Sequence, residues 1–189
     1  MLTEKSIRQF TDHIAGQTHA MAGATIAGSA ALACGLGEAC VRMNFPLLAN
    51  AQDRPDAERT AARLVEIRGQ LQGLTDEDGA AITAFAALRA AGKMLEGQGR
   101  LCQMPIEVAR LSIEAVGLLQ DFRPFVQAAQ DDLEMAITLL AGTMRAATLL
   151  LDSNLRLWPD PPLLAQFEPK LAALRSEAGR VKPVDRVRP

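Results

Sequence analysis

The chain has no tyrosine, one tryptophan and six phenylalanines among its 189 residues. That leaves almost none of the aromatic platforms on which single-stranded nucleic acids stack. It also lacks an excess of basic charge. Twenty Lys and Arg face 22 Asp and Glu, for a formal net charge of -2, so no positive field speaks for a phosphate backbone. Cysteine is scarce too. Cys34, Cys40 and Cys102 form no CxxC motif, and one would be left over from any pairing. They read as reduced, buried thiols of a reducing, cytoplasmic compartment. No run reaches about 18 uninterrupted apolar residues, as a membrane span would require. The N-terminus carries Glu4, Arg8 and Asp12, unlike a secretory signal. Nucleic acid and membrane are therefore not expected partners. β-branched residues are sparse and scattered, which leaves little to build strands.

What is present in quantity is alanine and leucine, both strong helix formers. Hydrophobic residues make up 49% and charged residues 22%, the balance of a globular chain. The spacing predicts an all-α, up-and-down bundle of about six to seven helices. Residues 3–15 carry Ile7, Phe10 and Ile14 at helical spacing behind Thr3 as a cap. Residues 16–23 read as a loop. A second helix is expected over 28–44, rich in small residues and ending before Pro46. A linker over 45–51 leads to a third, with Asp53 as cap, Pro55 in the first turn, and Ala61, Leu64, Ile67 and Leu71 on one face.

Thr75 with Asp76, Glu77 and Asp78 looks like the start of a fourth helix, its acids complementing the positive end of a helix dipole. Gly97 and Gly99 break it. A fifth helix is expected over 105–121 and a sixth over 131–155. The sixth is the longest and nearly all apolar. A helix apolar all round is buried on all sides, and a domain of this size covers one that long with difficulty. A second subunit would supply the cover, so the long central helix predicts a homodimer. Pro161 and Pro162 open a seventh helix. Residues 1–178 form one domain, and 179–189 read as a flexible tail.

Common catalytic signatures are absent: no GxSxG, HExxH, P-loop or EF-hand loop. His13 and His19 are six residues apart with no ligand pattern beside them, so no metal is expected and both read as ordinary surface or loop residues. Glu38 in the small-residue helix reads as paired with Arg42, four residues on. On the sixth helix, Asp132 and Asn154 share a face, about 40° out of phase and about 33 Å apart along the axis. Thr143 lies between them on that face, and Arg145 points the other way.

Four stretches in order resemble a known family. They are SIRQFTDHIAG (6–16), AGSAALACGLGEACVRM (27–43), DEDGAAITAF (76–85), and MPIEVA (104–109) followed by DDLEMAITLLAGTMRAATLLLDSNL (131–155). Together they resemble the formiminotransferase-cyclodeaminase C-terminal domain and the bacterial methenyltetrahydrofolate cyclohydrolases. That family's glycine turn reads close to Pro-Gly-Gly-Gly-Ser, and here the matched stretch Thr25 to Ser29 keeps only Gly28 and Ser29. The family's basic-aromatic cluster after the second helix is missing, and Leu150 replaces the first of two asparagines on the long helix.

The resemblance implies a folate one-carbon enzyme. Such an enzyme hydrolyses methenyltetrahydrofolate to the formyl form, or expels ammonia from the formimino form. The folate is then the substrate, with no metal or redox cofactor. The resemblance assigns Asp132 as the catalytic carboxylate and Asp78 as the group that stabilises positive charge. Gly28 and Ser29 would shape the ligand turn, and Asn154 and Arg145 would bind substrate. The alternative is a non-catalytic relative whose pocket binds a pterin or a protein partner.

Overall fold

The computed structural model describes residues 1–93 and 97–181. Six α-helices follow one another: α1 (Ile7–Ala15), α2 (Ala22–Asn44), α3 (Arg54–Ala90), α4 (Gln98–Phe122), α5 (Gln130–Leu157) and α6 (Pro161–Arg180). Among the described residues there is no strand. The expectation of an all-α bundle is met. α2 packs between α3 and α5, α4 lies against α5, and α6 crosses α4 and α5. α5 is central, with Leu133, Ile137, Leu140, Met144 and Leu151 fully buried. α2 and α5 each contain a window long and apolar enough to cross a bilayer, but 50% and 56% of those windows are buried inside the bundle.

The cap of α1 is Ser6, not Thr3. Ser6 and Gln9 form a reciprocal capping box. Thr3 serves another helix: its N–H and hydroxyl both donate to Asp76, at 3.0 and 2.6 Å.

The expected third and fourth helices are one continuous helix of 37 residues. The acidic triplet at 76–78 resembled a helix start because acids favour that position. Each acid instead answers a tertiary partner from the middle of α3. Asp76 takes Thr3, Glu77 takes the Arg100 guanidinium at 2.6 Å, and Asp78 takes the Ala24 amide at 2.7 Å. No proline interrupts the stretch, and interior glycines cost only about 1 kcal/mol each.

α4 begins seven residues earlier than expected, and Pro105 lies inside it. α6 continues to Arg180, so the expected tail is helical at its first two residues. Residues 182–189 lie outside the described residues.

Three further sequence readings fit their surroundings. Glu38 pairs with Arg42 at 2.8 Å and also with Arg68 at 3.2 Å. All three cysteines are free and buried. Asn44, fully buried at the end of α2, donates to the Cys40 and Ala128 carbonyls and accepts from the Gln127 and Ala128 amides. It thereby fixes the turn that leads into α5.

Candidate active-site cleft

A cleft of about 960 Å³ opens where the 16–21 linker and the start of α2 meet α3, α4 and the C-terminal end of α5. Ile82, Phe85, Leu150 and Trp158 give it apolar walls. Phe85 meets Trp158 edge-on, ring centroids 5.1 Å apart. His19, Asp78 and Arg89 are the titratable and charged side chains of its described lining, joined by the neutral polar groups of Thr18, Ser153 and Asn154.

Asp78 is the chemical centre of this wall. Its side chain is 7% exposed, and its Oδ2 accepts the backbone N–H of Ala24 at 2.7 Å. That amide belongs to the first turn of α2, where backbone donors are free for an anion. Burial raises the carboxyl above its ordinary range, the Ala24 hydrogen bond opposes that rise, and the charge of Glu77 adds to it. A carboxyl so placed can hold or release a proton nearer neutrality than a surface aspartate.

Gly23 makes the arrangement sterically possible. A Cβ there would overlap the Asp78 carboxylate. Sequence reasoning missed this glycine because it set the start of the second helix at residue 28. The helix starts at Ala22. Gly28 and Ser29 are therefore inside α2 and form no turn. Gly28 lies beneath the Phe10 ring, and the Ser29 hydroxyl donates to the Thr25 carbonyl at 2.8 Å. Ile26 does not line the cleft; it packs against the core.

Of the expected site residues, the cleft brings together Asp78 and Asn154. Asn154 is half-buried, and its side-chain amide donates to the Leu101 carbonyl at 2.9 Å. Asp132 is exposed in the first turn of α5, at the far end of the helix from the cleft. Arg145 is exposed on the same helix, also outside the cleft. His19, read from sequence as an ordinary loop residue, is in the cleft wall, and its Nε2 is buried without a hydrogen-bond partner. His13 lies outside the cleft, beside the Gln17 side chain. No group of three or more His, Cys, Asp or Glu able to hold a metal occurs among the described residues.

The helical bundle thus holds a buried carboxyl and an imidazole in one apolar-walled cleft of the kind that takes small molecules. The sequence profile of the formiminotransferase-cyclodeaminase family matches residues 6–173, and the chain belongs to that family. The fold is similar to that of formiminotetrahydrofolate cyclodeaminase from Thermotoga maritima, solved at 2.80 Å. That likeness has a TM-score of 0.81 at 20% sequence identity, and covers 95% of this chain and 92% of the other. Among proteins of curated function, none matches the sequence significantly.

Proposed function

We propose that the protein is a folate-dependent one-carbon enzyme. It would act on the amidine-like carbon of a tetrahydrofolate, by cyclodeamination of the formimino form or hydrolysis of the methenyl form. The observation that carries this reading is the buried Asp78 carboxyl, seated on the Ala24 amide in the wall of the large cleft. Both reactions move a proton to or from a nitrogen or a water at that carbon, which a carboxyl of raised pKa can do. Phe85 and Trp158 offer flat apolar surface for a pterin, and Ser153 and Asn154 offer polar contacts. The chemistry needs no separate cofactor, because the folate carries the one-carbon group.

The test is turnover of both substrates, following methenyl absorbance in one assay and ammonia release in the other. Binding of tetrahydrofolates without turnover would instead describe a non-catalytic relative.

The protein is further proposed to act in the cytoplasm as a homodimer. Leu32 and Met43 on α2 and Met135, Leu139 and Leu149 on α5 are exposed apolar side chains on two helices that pack together. Large apolar side chains left exposed on packed helices favour a partner surface. Asp132 and Arg145 are both exposed on α5. If either contributes to a folate site, it does so through such a dimer.

A further inference from the structure

His19 carries an observation that the folate reading leaves unused. It sits in the linker between α1 and α2 and lines the same cleft as Asp78. Its Nε2 is out of reach of solvent and has no hydrogen-bond partner. Buried polar atoms in folded proteins nearly always find a partner, and an orphan in a residue that lines an open cleft can find one in a ligand.

We infer that His19 is a second proton-transfer group of this cleft, acting on the same substrate as Asp78. The inference rests on the folate reading, and the reaction itself asks for two such groups. Starting from the protonated formimino group, the N10 lone pair forms a bond to the formimino carbon. The C=N π pair moves onto the exocyclic nitrogen. N10 then loses its proton, and the exocyclic nitrogen gains one. The bond from carbon to that nitrogen breaks, and ammonia leaves with the electron pair. The remaining carbon is the methenyl cation, so atoms and the single positive charge balance. Asp78 takes the N10 proton and His19 protonates the departing nitrogen. Hydrolysis of the methenyl form needs the same pair of transfers, from the attacking water and to the ring nitrogen that is released.

The other charged and titratable groups in the described lining of the cleft are Asp78 and Arg89, both from α3. α4 and α5 contribute only uncharged side chains to the described lining, among them Leu101, Ser153 and Asn154. Histidine is suited to the role because its two ring nitrogens can donate and accept a proton.

The experiment uses the fact that the chain has two histidines, so its NMR spectrum holds two imidazole Cε1–H signals. A His13→Gln variant assigns them. Addition of 5-formyltetrahydrofolate to the wild type is expected to shift the His19 signal saturably and to move its pH midpoint, with His13 unmoved. In turnover assays, His19→Gln is expected to lower kcat by about 100-fold or more. It should also remove one limb of the pH–rate profile, whereas His13→Gln keeps both limbs. An active wild type whose His19 signal ignores the folate, or a His19→Gln variant that keeps both limbs, overturns the inference and leaves the folate reading standing. A wild type with neither turnover nor a shifted signal overturns both. If His19→Gln fails to fold, the NMR titration of the wild type decides alone.

Discussion

The side-chain amide of Asn154 donates to the carbonyl of Leu101 at 2.9 Å, and Leu101 stands four residues before Pro105 inside α4. A proline has no N–H and cannot serve the carbonyl one turn back. Asn154 thus repairs from α5 the gap that Pro105 opens in α4, and it does so at the cleft wall.

This relationship predicts a coupling. Asn154→Ala leaves the Leu101 carbonyl without its side-chain donor, at a cost of about 1–2 kcal/mol. In a Pro105→Ala background residue 105 regains its N–H, and the same Asn154→Ala substitution should cost much less. Urea denaturation of the four proteins measures the coupling energy. Equal costs in both backgrounds would show that the two residues do not act together.

The raised pKa of Asp78 sets a pH dependence. A carboxyl whose folded pKa lies above its unfolded value of 3.8 favours the folded state most while it is protonated. That contribution is complete below the unfolded pKa and is lost as pH rises through the folded pKa. Asp78→Asn keeps an oxygen that can accept from Ala24 but removes the charge. Its melting temperature should match the wild type near pH 3.5 and exceed it at pH 7. A variant less stable than the wild type at pH 7 would show that the ionised carboxylate is not a burden on the fold.

The thiols should be silent. Burial pushes Cys34 up to about 12 and Cys102 to about 11, and Cys40 is raised as well. The Cys34 Sγ also donates to the Leu64 carbonyl. A colorimetric disulfide reagent at pH 8 should therefore label none of the three in the native protein and all three in denaturant. Rapid labelling of a native thiol would mean that the core opens on the timescale of the assay.

The exposed apolar faces of α2 and α5 predict a dimer in light scattering at micromolar concentration. Leu139→Arg places a charge on that face and should yield a folded monomer. A wild-type monomer would contradict the proposed interface.

Much of the architecture was legible in the sequence because apolar periodicity reports helices directly. The long α5, the Glu38–Arg42 pair and the buried thiols all follow from local spacing. The errors came where a local signal had a tertiary cause. The acids at 76–78 look like a helix start, but Thr3, Arg100 and Ala24 from other segments claim them one by one. Pro105 looks like a first turn, but an asparagine from another helix compensates it.

The site was legible in part. The family resemblance points to Asp78 and Asn154, and both lie in one cleft. The spacing hides Gly23 because it starts the second helix six residues after Ala22, and it hides His19 because a loop histidine has no periodic neighbours. The position of Asp132, a helix length from the cleft, follows from the 1.5 Å rise per residue and was already implied by its spacing from Asn154.

The proposed role of Asp78 is the proton-handling group of a folate cleft. The most direct measurement is the rate of methenyltetrahydrofolate hydrolysis and of formimino cyclodeamination, for the wild type and Asp78→Asn at pH 7. The wild type is expected to accelerate at least one reaction above its spontaneous rate. The folded Asp78→Asn variant is expected to lose about 100-fold or more of that acceleration. A wild type no faster than the uncatalysed background in both reactions, or an Asp78→Asn variant that turns over at the wild-type rate, would contradict that role.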